Sequence, residues 1–275
     1  MDRFRWLAGL VVGDGYLSDR RVEIYNSSPS ILKEVISILL ENKVLPERIK
    51  IDVYGTDKKT LPKFAELFGL PKQNFRLKKD LSPWKANKQK LRVRVALKPL
   101  AVKLHKLIAS GFDNYAFVKG LFDAEASVDA KGYIEFKQVA SRKGSRVVKT
   151  VYRFLKNHGV DCTKPKTKKD AKKNDVYFYV RDLKKFLRKI GFADENKKRL
   201  AEALVRIEEK DGQIDETSLM QLLKRPVSLF GIMSAFNCPY HRARKALLKL
   251  RRNGFVTFEK QGSTFLYHLD TRQTR

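Results

Sequence analysis

The sequence predicts an α+β fold built largely twice over. Two pseudo-symmetric αββαββα repeats, each expected to carry an antiparallel sheet, come first, and a small winged helix-turn-helix follows at the C-terminus. Three observations predict it. Two short apolar helical segments, residues 7–15 and 118–126, place small residues four apart and then an acid. After each, the same succession of strand-like and helix-like runs closes on Gly-Phe, at Gly111-Phe112 and at Gly191-Phe192. Past Asp211-Gly212 the pattern changes to three helical runs and two alternating ones. The boundaries are therefore 1–112 and 113–210 for the repeats and 211–275 for the C-terminal unit.

The first segment carries Gly9 and Gly13, the second Gly120 and Ala124. Residues four apart share a helix face, and small ones let two backbones approach closely. Asp14 and Glu125 follow at the negative end of the helix dipole, where a carboxylate is locally unfavourable. An unfavourable choice made twice in one place points to a site. If the small faces pack together, both carboxylates leave from the same end.

Each segment leaves room for a short strand, 16–18 and 127–129, before an alternating run over 21–26 and 133–138. Val22-Glu23-Ile24 aligns with Ile134-Glu135-Phe136, and Asn26 with Gln138. Ile31, Val35, Ile36, Leu39 and Leu40 predict an amphipathic helix, as do Val147, Val148, Val151, Phe154 and Leu155; Gly159 stops the second in a left-handed cap. Strands are expected over 49–54, 91–97 and 176–180, and closing helices over 100–108 and 183–190. An insertion over 60–90, with Trp84 and a short helix over 61–67, interrupts the first half. Its counterpart is the run 164–173, six of whose ten residues are lysine. A helix over 197–210 leads out. Helices over 214–223, over 228–236 with Ser228 as N-cap, and from Pro239 to Arg252 precede a hairpin over 255–259 and 264–269.

The chain has 275 residues, 43% of them hydrophobic, enough for a sizeable core. Its 59 Lys and Arg against 30 Asp and Glu give a formal charge of +29. That excess predicts a polyanionic partner, nucleic acid before any other. No apolar run approaches the ~18 residues of a spanning helix. The run 6–12 is too short for a signal-peptide core. No membrane partner is expected, and a cytoplasmic, nucleoid-associated place in an archaeal or bacterial cell is. Cys162 and Cys238 have no metal spacing, so neither a disulfide scaffold nor a zinc site is expected.

The doubled segment resembles the LAGLIDADG motif of homing endonucleases, in the single-chain form with two copies. Leu7, Ala8, Gly9, Leu10, Asp14 and Gly15 fit in the first copy, where Val12 replaces the first acid. Gly120, Leu121, Asp123 and Ala124 fit in the second; Lys119 replaces a small residue, Glu125 is the acidic variant and Ala126 replaces the last glycine. The catalytic acid of the family is the second, so the resemblance implies Asp14 and Glu125 as the metal-holding pair. Asp123 is expected to be a helix-end polar group or cap. The resemblance further implies a DNA-facing saddle lying in the major groove of a long, non-palindromic duplex site. It implies a monomer, since one chain holds both motifs, and double-strand breaks with short 3′ overhangs.

Hydrolysing a phosphodiester needs an activated water and relief of charge on the leaving oxygen, which two divalent cations about 3.5–4 Å apart supply. Hard carboxylate ligands favour Mg²⁺, with Mn²⁺ as substitute. Asn26 and Gln138 match the strand position that orients the water shell in the family, although Asn26 departs from the usual Gln. Lys137 is the candidate basic group near the scissile phosphate, ahead of Lys90 and Lys119. Contacts to bases or phosphates are expected from Arg21, Glu23, Tyr25, Arg92 and Arg94 in the first half and from Glu135, Lys137, Tyr177 and Tyr179 in the second. Lys168 and Lys169, in the lysine run, are expected at phosphates. In the C-terminal unit Tyr240, His241, Arg242, Arg244 and Lys245 would enter a major groove. Two other readings stand beside the nuclease: an RNA maturase acting on its intron, and a DNA-binding regulator descended from a retired endonuclease. An intein is not expected, because the chain starts at the motif without a Cys or Ser splice junction.

Overall fold

A computed structural model of the chain describes residues 2–55, 58–78, 90–169, 174–262 and 264–270. The first motif helix, α1 (Arg3–Asp14), is capped by Asp2, whose side chain accepts from Arg5 N. Phe4, Trp6, Leu7, Ala8, Gly9, Leu10 and Val11 are all buried, so the helix runs through the interior. It passes at Gly15 straight into β1 (Gly15–Leu17), which pairs antiparallel with β2 (Arg21–Asn26). A Cβ on Gly15 would crowd the backbone at Val11 and the Glu23 carbonyl, so this turn needs glycine.

Next come α2 (Pro29–Glu41), β3 (Ile49–Tyr54), α3 (Leu61–Phe68), β4 (Phe75–Lys78), β5 (Lys90–Ala96) and α4 (Lys98–Ser110). The first sheet has the order β1-β2-β5-β3-β4. It is not wholly antiparallel as expected, because β4 runs parallel to β3. The insertion makes this edge: α3 is a crossover, and a crossover returns the chain parallel. Residues 79–89, including Trp84, lie outside the described residues.

The second repeat is α5 (Tyr115–Glu125), β6 (Ala126–Asp129), β7 (Tyr133–Val139), α6 (Arg142–Asn157), β8 (Lys166–Lys169), β9 (Asn174–Val180) and α7 (Leu183–Lys189). Its sheet, β6-β7-β9-β8, is antiparallel throughout. This is the αββαββα succession that the sequence predicts. The stop after α6 is made by Gly159 at φ 69°. In both sheets one face buries Val22, Ile24, Ile51, Val93, Ile134, Phe136 and Phe178 against the helices, and the other carries the polar residues.

Helix α8 (Glu195–Lys210) leads out to α9 (Glu216–Leu222), β10 (Val227–Ser228), α10 (Leu229–Phe236), α11 (Tyr240–Arg252), β11 (Val256–Gln261) and β12 (Thr264–Leu269). Ser228 caps α10 by accepting from Gly231 N. Beyond the expected hairpin, β10 pairs with β12 and makes the small sheet three-stranded.

Candidate active site at the paired motif helices

The two motif helices cross at their small residues. A Cβ on Gly9 would run into the Phe117 carbonyl, and one on Gly120 into the Trp6 carbonyl. The contact is backbone to backbone and reciprocal, as a pseudo-twofold axis requires. At the C-terminal ends, a Cβ on Gly13 would fall 2.9 Å from Glu125 Cγ and 3.3 Å from its Oε1. Asp14, the next residue, therefore leaves α1 alongside Glu125. Both acids are half-buried.

Each acid has a strand amide beside it. Asn26 Nδ2 donates to Asp14 Oδ2 at 2.9 Å, and Asn26 Oδ1 accepts from Ser28 N at 2.8 Å, which fixes the orientation of the amide. Gln138 is the counterpart at Glu125. Its amide is close enough to favour the carboxylate, yet Nε2 is buried without a hydrogen-bond partner among the described residues. Asn26 thus uses one of its two N–H donors on its acid, whereas Gln138 Nε2 makes no hydrogen bond of good geometry among the described residues. Burial pushes the Glu125 carboxyl above its ordinary range, against the pull of Gln138, Lys197 and Lys137.

Lys197 is a site residue of which the sequence offers little sign. It sits in the first turn of α8, whose N-terminus is built onto α5. Asp194 caps α8 by accepting from Asn196 N and Lys197 N. Asp123, 2% exposed, accepts from Trp6 Nε1 at 2.7 Å, Ala193 N at 2.9 Å and Asp194 N at 3.0 Å. Lys197 Nζ then donates to the Asp123 carbonyl oxygen at 2.6 Å, at the end of the motif helix. Burial lowers the ammonium pKa, opposed by Asp123, Asp194, Asp14 and Glu125. The one available signal was the alignment of Asp194 with Asn114, the cap of α5, which starts α8 at the pseudo-symmetric place. Asp123 is not the local cap expected of it: it is buried and holds the segment leading into α8, 70 residues away, whose own cap is Asp194.

Lys137 stands on the outer sheet face, 3.7 Å from Glu135, and ranks behind Lys197 in its influence on Glu125. The side chains of Lys90 and Lys169 and residues 170–173 lie outside the described residues; Lys168 is exposed on β8. Tyr177 and Tyr179 have ring centroids 5.2 Å apart, and Tyr133 lies 4.5 Å from Tyr179.

On the first sheet Arg21, Tyr25, Arg92 and Arg94 lie on the outer face as expected. Glu23 shares that face but is only 4% exposed, so it is not an outward-reaching contact. Arg21 and Arg92 form ion pairs with it, and Tyr25 donates to it at 2.7 Å. In the C-terminal unit Arg244, Lys245 and His241 are exposed and Tyr240 is half-buried. Arg242 is committed elsewhere: it pairs with Asp211 at 2.8 Å and donates to the Asp211 and Gly212 carbonyls. It fastens the segment after α8 to α11.

Residues 114–191 match the LAGLIDADG-like domain family. No curated protein matches the chain. Among solved structures, I-DmoI in complex with DNA and Ca is 20% identical with a TM-score of 0.45, over 68% of this chain and 88% of that one. Full-length DUF199/WhiA from Thermatoga maritima is 12% identical with a TM-score of 0.43, over 91% of this chain and 90% of that one. I-WcaI bound to its DNA recognition sequence is 9% identical with a TM-score of 0.38, over 71% and 86%. The segment that matches this family opens on the helix that carries Glu125.

Proposed function

We propose that the chain is a site-specific, divalent-metal-dependent DNA endonuclease, a homing endonuclease in which both motif copies sit in one polypeptide. The observation that supports this reading is the crossing of the two helices at Gly9 and Gly120, which sets Gly13, the residue before Asp14, against the Glu125 side chain.

The donor set fits a hard cation. It consists of two carboxylates, and among the described residues no three His, Cys, Asp or Glu side chains cluster as a metal cage. Asp14 and Glu125 would hold Mg²⁺, or Mn²⁺ in its place, with the remaining positions left to water and phosphate oxygens. A cation held there would supply acidification of a water and screening of charge on the phosphate. Asn26 keeps Asp14 turned toward the shared end of the helices. Gln138 offers its unspent Nε2–H to a water or phosphate oxygen. Lys197 brings an ammonium to the same end, where it balances charge on a departing 3′ oxygen; Lys137 contributes from farther out.

The substrate is a duplex, gripped by two sheets whose outer faces differ, so its sequence need not be palindromic. The first sheet offers Arg21, Tyr25 and Arg94, with Arg92 bracing them from within the sheet face. The second offers Glu135, Lys137, Tyr177 and Tyr179, with Lys168 at the backbone. Tyr240, Arg244 and Lys245 make a further groove contact from the C-terminal unit, residues 211–275, which works as a winged helix. The test is incubation of the full chain with a randomised duplex library and Mg²⁺, followed by sequencing of the ends. One recurring site with short 3′ overhangs is expected; intact DNA at saturating protein contradicts the reading.

A further inference from the structure

Resting on the DNA-binding role just proposed, we infer that Asp52 is a positioning residue that sets base preference by holding two arginines on the first sheet in one arrangement. Asp52 belongs to the outward set of β3, between the inward Ile51 and Val53, yet it is 0% exposed. Arg92 and Arg94 of β5 cover it. Arg92 stands directly opposite in the strand register and donates to Asp52 Oδ2 through Nε at 2.8 Å and also through Nη2. Arg94 Nη2 reaches Asp52 Oδ1 at 3.4 Å.

The two arginines are used differently. Arg92 also donates through Nη1 to Tyr25 Oη at 3.1 Å and to Glu23 Oε2 at 3.4 Å, and its guanidinium lies 5.5 Å from the Tyr25 ring centroid. Its donors are nearly exhausted on protein acceptors, so Arg92 is a brace. Arg94 Nε is buried 3.0 Å from Asp52 Oδ2 without a hydrogen bond of good geometry among the described residues, which pins the side chain from behind. A guanidinium has four Nη–H donors, and among the described residues Arg94 uses one of them, on Asp52, so it is the member of the pair with donors left for a base.

A surface that only clings to phosphates has no use for this arrangement. Phosphate contacts need positive charge, and two carboxylates buried among arginines subtract it. Base contacts need a fork in a fixed direction, and fixing it in advance removes rotamer entropy from the binding step. The acids cost overall attraction and supply geometry.

The test compares the full chain with Asp52→Asn and Arg94→Lys, each selected against a randomised duplex library in Ca²⁺ and scored for base preference at every position. Thermal unfolding and affinity for random duplex are measured alongside. For Asp52→Asn the inference predicts that preference at the positions facing β5 falls on the order of tenfold, while affinity for random duplex holds or rises because a negative charge is gone. A merely structural acid would lower both together. Arg94→Lys keeps the charge and loses the fork, so it should show the same loss of preference with unchanged unfolding, even if Asp52→Asn folds poorly. Unaltered base preference in Arg94→Lys, or in a folded Asp52→Asn, overturns the inference and leaves the nuclease reading standing. Absence of any preference in the unsubstituted chain overturns both.

Discussion

Trp6 Nε1 donates to Asp123 Oδ2 at 2.7 Å across the two motif helices, and both side chains are buried. The aligned position in the first motif is Val12. The pair of helices is therefore pseudo-symmetric in its backbone crossing and asymmetric in its polar contacts. Only the second motif ties the first motif helix and the start of α8 to one carboxylate.

Removing that carboxylate should loosen all three segments. Asp123→Ala strands the Trp6 indole N–H and the Ala193 and Asp194 amides, and stranded buried donors cost about 1–3 kcal/mol each at most. Denaturant unfolding is expected to show a loss of at least about 2 kcal/mol. An unchanged midpoint would mean that α8 is held by something other than Asp123.

Close packing at the crossing predicts intolerance of side chains there. Gly9→Val and Gly120→Val both push a branched carbon into a facing backbone carbonyl, which cannot rotate away. A loss of about 3 kcal/mol or more is expected, at the upper end for overpacking. Wild-type stability in either variant would show that the helices cross elsewhere.

The site electrostatics predict a pH response. Burial raises the Glu125 pKa, so the carboxylate needed for a cation forms at higher pH than in an ordinary glutamate. The acid limb of cleavage at sub-saturating Mg²⁺ should lie above pH 4.5, the ordinary glutamate value. Lys197 pulls that pKa down. Lys197→Met should consequently move the limb to still higher pH, besides slowing the reaction. A pH–rate profile with the limb unmoved would remove Lys197 from the site.

The C-terminal basic residues should separate by salt dependence. Arg244→Ala and Lys245→Ala should each lower the slope of log affinity against log salt by about one. Arg242→Ala should leave the slope alone, because Asp211 already neutralises that charge, and should instead destabilise the junction after α8. Equal slopes for all three variants would place Arg242 on the DNA after all.

Much of this was legible because the rules involved are local. Gly9, Gly13, Gly120 and Ala124 announce a close helix contact by spacing alone, and the alternation over residues 21–26 and 133–138 assigns faces to the central strands. Ser228, Pro239 and Gly159 mark helix ends by their own backbone preferences. What stayed hidden depends on distant partners. The alternation puts Glu23 on the outer face but cannot reveal that Arg92, from another strand, covers it. Residues 75–78 are short and basic and resemble a loop until the crossover through α3 sets them beside β3. Lys197 looks like one more lysine in a solvated helix, because the contact that aims it joins Asp123 to Asp194.

The most direct measurement is cleavage by Asp14→Asn and Glu125→Gln of the site selected by the unsubstituted chain. With Mg²⁺ present and binding checked in Ca²⁺, each variant should bind within a few-fold of the unsubstituted chain. Each should lose about a thousandfold or more in rate, the several kcal/mol that a correctly held cation supplies. If either variant cuts at the unsubstituted rate, the two carboxylates are not the metal site and the account of the paired helices fails.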